Sequence, residues 1–416
     1  MKALLKCEKI PKDTKVIQVT GSKSESNRLL LLQSIFPSIN IENLSESDDT
    51  QVLQQGLKTL KGTVDIHHAG TAMRFLTAYF ATKEASEVIL IGSERMQERP
   101  IKILVDALRS LGASIDYIGE DGFPPLRIFG KKLIKNRVTV KANVSSQYIS
   151  ALVLIAPSLP NGLTIFLEGK ITSVPYIEMT LSLLKQLDIE CSFSENIIRV
   201  EPKVTIQETT CVVESDWSSA SYFYSIVALA EVASVKLTSY SESSLQGDKA
   251  LASIYKSLGV ETTFNSEDSA ILLSKNRIKI PENLVLDLSN TPDIAQTIAV
   301  TCFGLGIGCA LSGLHTLKIK ETDRLEALKA EMEKLGATII ISEDALVLKA
   351  TTNTVNSEGI NENILINTYQ DHRMAMAFAP LALKVPIAID DPLVVTKSFP
   401  TFWKDIAKMG VAVLFQ

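Results

Sequence analysis

The stretch LKAEMEKLGATIIISEDALVLKA (328–350) decides how the rest of the chain is read. Its first half carries apolar residues at helical spacing and stops at Leu335-Gly336, where a glycine can adopt the left-handed conformation that caps a helix. Its second half is two short apolar runs around a polar turn, as expected of buried strands. The same order recurs in LVDALRSLGASIDYI (104–118) and LASIYKSLGVETTF (251–264), and in LLKQLDIECSFSENIIRVE (183–201) with Asp188 in the glycine position. LKTLKGTVDI (57–66) and DIAKMGVAVLF (405–415) read as shortened copies. The marker positions are 62, 112, 188, 259, 336 and 410, and the last four intervals lie between 71 and 77 residues. Six helix–strand–strand units at this period predict an α/β repeat architecture in which neighbours bury each other's helices.

A second element alternates with the first: a strand, a short Gly/Ser/Thr/Asn-rich segment, then another apolar helix. Its instances are VIQVTGSKSESNRLLLLQSIF (16–36), HHAGTAMRFLTAYFA (67–81), KANVSSQYISALVLIA (141–156), ESDWSSASYFYSIVALA (214–230), SNTPDIAQTIAVTCF (289–303) and NTYQDHRMAMAFAPLAL (367–383). Each such helix start exposes unpaired N–H groups and a partial positive charge, which attract anions.

Composition narrows the function. The 416 residues allow two domains, and 46% apolar with 21% charged residues describes a globular chain. A net charge of -5 argues against a general nucleic-acid or membrane-surface binder, so any anion site is a local basic cluster. Five cysteines without a CxxC pair and four histidines without ligand spacing predict reduced thiols and no metal. The N-terminal MKALLKCEKIPKD lacks the apolar stretch of a signal peptide. The long uncharged runs Ala142–Leu167 and Ile294–Leu317 are broken by Pro or Gly. Each is expected to be a buried helix followed by a buried strand.

The basic and acidic residues that matter sit at the helix starts. In Gly21-Ser-Lys-Ser-Glu-Ser-Asn-Arg28, Lys23, Ser24 and Arg28 can meet an anion, or the segment is an ordinary capped helix; GxxxxGK[ST] is absent. Gly70 allows close approach of a ligand to the backbone, and Arg74 lies one turn into an apolar helix. Arg99 precedes a helix whose start Pro100 sets. Ser145, Ser146 and Gln147 are neutral donors at a helix start or plain caps. Lys320 and Arg324, with Glu321 beside them, open a helix running to Leu335 and form either a ligand site or a surface ladder. Asp293 is a first-turn acidic residue or a base beside cations. His372 and Arg373 begin another apolar helix, and Lys397 lies in an irregular basic segment.

In order along the chain, GSKSESNR (21–28), AGTAMRF (69–75), ERP (98–100), VSSQY (144–148), PDIA (292–295), KETDRL (320–325), DHRMAMAF (371–378) and KSFPTFW (397–403) closely resemble the 5-enolpyruvylshikimate-3-phosphate synthase family of enolpyruvyl transferases. The resemblance implies an inside-out α/β barrel in two lobes, with six β-α-β-α-β-β repeats, three per lobe. Residues 1–20 and 241–416 would form one lobe and 21–240 the other, with helix N-termini facing a cleft that closes on substrate. It implies that shikimate 3-phosphate meets Lys23, Ser24, Arg28, Ser145, Ser146, Gln147, Ser173, Tyr176, Asp293 and Lys320. Phosphoenolpyruvate would lie against Lys23, Gly70, Arg99, Gln147, Arg324, Arg373 and Lys397. The carboxyvinyl group passes to the 5-hydroxyl through a tetrahedral intermediate, with Asp293 as base and Glu321, helped by Lys23, as acid. The resemblance further implies a cytoplasmic monomer using no metal or organic cofactor.

Two positions depart from the family pattern. His68 stands where an asparagine commonly precedes Ala-Gly-Thr, and Thr316 where some relatives carry an asparagine near the shikimate hydroxyls. UDP-N-acetylglucosamine enolpyruvyl transferase shares the fold, but its Lys-Asn pair and loop cysteine are missing here: Ser24 follows Lys23 and no cysteine lies near Arg99. A non-catalytic anion-binding protein of the same fold would not need both Asp293 and Glu321.

Overall fold

Left-handed residues punctuate the chain where the repeat markers lie. In the computed structural model, which describes residues 1–142, 145–169, 171–351 and 364–416, Gly112, Gly259, Gly336 and Gly410 have φ between 80° and 109°. Asp188 takes the same conformation at φ 53°, which a short polar side chain tolerates better than most. Each of these turns ends a helix and releases the chain into a strand. Helix Lys102–Leu111 leads into the antiparallel pair Ser114–Tyr117 and Leu126–Phe129. Helix Val174–Gln186 leads into Cys191–Ser194 and Ile197–Val200. Leu251–Lys256 leads into Val260–Asn265 and Ala270–Lys275, and Arg324–Lys334 into Ile339–Ile341 and Leu346–Leu348.

The copy at 405–415 is completed from the far end of the sequence. Helix Phe402–Lys408 feeds strand Val411–Phe415, whose antiparallel partner is the N-terminal strand Lys2–Cys7, with Leu5 opposite Val413. The copy at 57–66 differs from the sequence expectation. Its helix is Asp48–Leu57, but Gly62 lies inside strand Lys61–Asp65, which pairs parallel with Glu87–Ile91. Gly62 is therefore no helix cap; this segment opens the next sheet.

Each four-stranded sheet combines one parallel pair with two further strands paired antiparallel, and in three of the five a β-α-β crossover makes the parallel pair and a hairpin supplies the other two strands. Asn283–Asp287 runs parallel to Gly308–Ser312, for example, and Leu346–Leu348 and Ile339–Ile341 extend that pair. Among the described residues there are five four-stranded sheets and a two-stranded one, Ile39–Glu42 with Thr209–Val212. The chain forms two compact units, Gly21–Val213 and Met1–Thr20 with Glu214–Gln416, and three sheets fall in each. The second division lies ahead of helix Trp217–Leu229, at 213/214 where the resemblance implied 240/241.

The alternate helices fill the units. In the unit 21–213, helices Lys23–Ile35, Gly70–Thr82 and Ser146–Ile155 pack on one another, and residues 29–32, 75–76 and 149–155 are almost wholly inaccessible. In the other unit, Ala295–Gly304 packs on both Trp217–Leu229 and His372–Phe378. Burial on all sides explains why these helices are apolar around their full circumference. Both long uncharged runs resolve as helix then strand: Ser146–Ile155 before Leu163–Glu168, and Ala295–Gly304 before Gly308–Ser312. Asn143 and Val144 of the first run lie outside the described residues. No helix among the described residues is long and apolar enough to cross a membrane.

Candidate active site

Buried helices in this fold put their polar starts where the apolar packing ends, and the charged residues gather there. In the unit 21–213, Ser22 caps helix Lys23–Ile35 by accepting from the Glu25 N–H. Lys23, in the first turn, reaches Asp49 at 3.0 Å. Arg28, one turn further, is 2% exposed, and its hydrogen bonds go to uncharged acceptors. Its Nε donates to Thr180 Oγ1 (2.7 Å), and its terminal nitrogens to Ser150 Oγ (3.0 Å), the Tyr176 carbonyl (3.2 Å) and the Ser24 carbonyl (2.7 Å). The rings of Phe75 and Tyr176 flank it. Burial pushes the guanidinium down to about 10, with Tyr176 and Glu25 pulling the other way.

The neighbouring helix starts interlock with this one. Gln147 Nε2 donates to Thr71 Oγ1 at 3.1 Å, joining the starts of Ser146–Ile155 and Gly70–Thr82. Ser145 caps its helix by accepting from Gln147 N–H. A Cβ built at Gly70 would lie 2.6 Å from one terminal nitrogen of Arg99, so the guanidinium is seated directly on the glycine. Arg74 is structural: it donates to the Gly70 carbonyl (3.2 Å) and the Pro100 carbonyl (3.1 Å), fixing the loop that carries Arg99. His68 faces that loop too, with Nδ1 2.8 Å from Ser93 Oγ. Ser173 precedes helix Val174–Gln186 at φ 54°, and the adjacent Thr172 Oγ1 is buried with no hydrogen-bond partner among the described residues. Lys23 meets Asp49, and Glu25 lies near Arg28, while many neutral donors surround these helix starts. That composition suits an anion.

The other unit has a different balance. Asp293, in the single turn Pro292–Ile294, lies 2.9 Å from Arg324, 3.5 Å from Lys320 and 3.3 Å from Arg373. Burial pushes its carboxyl up, but Arg373, Lys320 and Arg324 together outweigh that and hold it well below the usual carboxylate range. Arg324, 1% exposed, also binds Asp371 (2.6 Å) and Glu321 (2.8 Å). Those three carboxylates outweigh burial and raise its pKa. Arg373 links the three helix starts of this unit: it donates to the Asp293 carbonyl (3.1 Å) and to Ser218 Oγ (3.4 Å) from the first turn of His372–Phe378. Lys397 donates to the Gln370 carbonyl at 2.7 Å.

The sequence matches the family EPSP synthase (3-phosphoshikimate 1-carboxyvinyltransferase) over residues 61–406. It is 46% identical over 405 residues to the 3-phosphoshikimate 1-carboxyvinyltransferase of Bacteroides fragilis, covering 95% of both chains. The chain belongs to the EPSP synthase family. It is 34% identical to the enzyme of that name from Marinomonas sp., over 93% of this chain and 95% of the relative. A solved EPSP synthase from Acinetobacter baumannii, at 20% identity, shares the fold with a TM-score of 0.78 over the whole of both chains. As an EPSP synthase family member the chain is a carboxyvinyltransferase of the shikimate pathway, the enzyme class expected from its motifs.

Against that family background the structure corrects one local reading and adds several residues. The helix expected to open at Lys320 begins at Arg324, capped by Asp323, while Lys320 and Glu321 precede it. Lys320 and Arg324 therefore share no helical face, and the burial of Arg324 rules out a surface ladder; both converge on Asp293 from different backbone segments. Asp49, Ser218, Asp248 and Asp371 join the clusters although no motif reading selected them for the site. Asp248 is the most informative. It accepts from Ser218 Oγ and is 5% exposed, and burial with the nearby Asp293 charge pushes it up to about 7. The only sequence signal was a polar Gln246-Gly-Asp248 within a Ser-rich stretch, which looks like a connection.

Proposed function

We propose that this EPSP synthase binds shikimate 3-phosphate through Lys23, Ser24, Arg28, Ser145, Ser146, Gln147, Ser173, Tyr176, Asp293 and Lys320. Phosphoenolpyruvate binds to Lys23, Gly70, Arg99, Gln147, Arg324, Arg373 and Lys397. The observation that carries this reading is a carboxylate, Asp293, held ionised among Arg324, Arg373 and Lys320 where three helix starts meet. A second carboxylate, Glu321, shares Arg324. Binding alone has no use for two carboxylates that compete with the ligand for the cations beside them.

The chemistry follows from the charges. Asp293 paired to three cations is a weak base. When substrate phosphate and carboxylate groups take over donors of Arg373 and Lys320, the carboxyl loses those partners and its proton affinity rises. Asp293 then takes the proton of the 5-hydroxyl as its oxygen bonds to the enol carbon of phosphoenolpyruvate, and Glu321, with Lys23, gives a proton to the methylene carbon. In the elimination the Glu321 carboxylate takes a proton back from the methyl group, the C–O bond to phosphate breaks as the double bond reforms, and the departing phosphate carries off the proton held by Asp293. The guanidinium and ammonium groups hold two anions that repel each other in solution, which supplies positioning and charge stabilisation. Thr316 Oγ1, buried with no hydrogen-bond partner among the described residues, suits a substrate hydroxyl at the position where some relatives carry asparagine.

The test is phosphate release coupled to product detection with both substrates present. Release that needs both and yields the carboxyvinyl ether supports the reading. No release at any concentration of either substrate sinks it. We extend the proposal to a single chain working in the cytoplasm, on the resemblance alone; light scattering of the purified protein tests the first part, and a stable dimer would remove it.

A further inference from the structure

Helix Arg324–Lys334 touches the bend before helix His372–Phe378 at two places. At its start, Arg324 Nε binds Asp371 at 2.6 Å. Two turns on, the completely buried Glu331 accepts from the Asn367 N–H (3.0 Å), the Tyr369 hydroxyl (2.6 Å) and Lys334 Nζ (2.5 Å). Between these anchors, Tyr369 and Gln370 are both left-handed, at φ 52° and 56°. Two consecutive residues with a Cβ do not hold that conformation unless their surroundings impose it. Within the bend, the Gln370 carbonyl accepts from Lys397 Nζ. Just beyond the bend, Arg373 N–H donates to Asp371, and the Arg373 guanidinium reaches Asp293 and Ser218.

A buried carboxylate is costly, and a hydrophobic residue of similar size there would serve packing as well or better. Two of the three donors that satisfy Glu331 belong to the bend. Tyr369 is 39% exposed, so its ring adds little to the core, and its hydroxyl serves Glu331. Both facts tie the pair to backbone geometry.

We propose that Glu331 and Tyr369 form a clamp on the left-handed bend and are positioning residues for Arg373 and Lys397. Neither touches substrate; they set where two phosphoenolpyruvate-binding cations stand. The proposal rests on the assignment of Arg373 and Lys397 to phosphoenolpyruvate given above.

The experiment measures both KM values, kcat and the thermal midpoint for Tyr369→Phe, Glu331→Gln and, as a reference, Lys397→Met in the full chain. Loss of a hydrogen bond to a carboxylate should raise the phosphoenolpyruvate KM about tenfold in both clamp variants, with the shikimate 3-phosphate KM within about twofold of the parent. A residue that merely stabilises the fold would lower the midpoint and the active fraction without separating the two KM values. An unchanged phosphoenolpyruvate KM in Tyr369→Phe, or an equal rise in both KM values, overturns the clamp. If Glu331→Gln does not fold, Tyr369→Phe decides alone, since it removes one hydroxyl from a half-exposed ring. If Lys397→Met also leaves the phosphoenolpyruvate KM unchanged, the substrate assignment falls, and the clamp with it.

Discussion

Replacing Asp293 by asparagine keeps the volume of the side chain and removes one charge from a set of three cations. Arg324 retains Asp371 and Glu321, but Arg373 and Lys320 lose their shared carboxylate. Removing one partner of a buried ion pair costs about 3–5 kcal/mol, and the retained partners of Arg324 place this case at the low end, about 3 kcal/mol. For a unit of this size that lowers the thermal midpoint by roughly 6–12 °C. The sign with pH is fixed by the direction of the shift. The folded carboxyl titrates below the unfolded one, so its contribution is fully present above about pH 4 and is lost as the pH falls from there towards the folded value. Asp293→Asn should therefore flatten the acid limb of the stability curve. The same substitution removes the proposed base and should lower kcat about a hundredfold or more. It also leaves a local positive excess, so inorganic phosphate should raise the midpoint of the variant more than that of the parent. Calorimetry across pH, with and without phosphate, and coupled phosphate-release kinetics read these effects. Turnover within tenfold of the parent would refute the base; an unchanged acid limb would refute the electrostatic account.

Gly70→Ala forces the Arg99 guanidinium away from a Cβ that would stand 2.6 Å from it, and should raise the phosphoenolpyruvate KM about tenfold with little change for shikimate 3-phosphate. Initial rates with each substrate varied in turn check this, and equal KM values in variant and parent would take Arg99 off phosphoenolpyruvate. Asp248, raised to about 7 from its ordinary value by burial and Asp293, makes the folded state bind a proton that the unfolded state has already released. Its presence should lower stability as the pH rises from about 4 to about 7, with no further change above. Denaturant titrations of Asp248→Asn should show a stability gain that is largest above pH 7 and vanishes near pH 4. A gain independent of pH would mean that Asp248 titrates normally.

The repeat was legible because its marks are local. A glycine or aspartate that must turn left-handed after a helix is decided by the backbone of a few neighbouring residues, and Gly112, Asp188, Gly259, Gly336 and Gly410 all do so. Gly62 carries the same letter in a similar setting and yet sits within a strand, because its helix had already ended at Leu57. Periodicity alone does not show where a helix stops. Nor does it show that strand Lys2–Cys7 pairs with Val411–Phe415, which only the closing of the unit brings together.

The site divides in the same way. Residue type and position at a helix start made Lys23, Arg28, Asp293, Arg324 and Arg373 candidates beside plainer structural readings, since helix starts are where a buried apolar helix can present charge. Their partners were not readable. Asp371 looks like an N-cap and is one, but its carboxylate also lies 2.6 Å from Arg324, far away in the sequence. Asp248 and Glu331 look like ordinary polar residues of a connection and a helix until burial isolates them from water. The chain by itself determined which groups can carry charge and where the backbone can turn. Tertiary structure decided which charges lose water and which neighbour replaces it, because desolvation and pairing depend on distances in space that sequence separation does not encode.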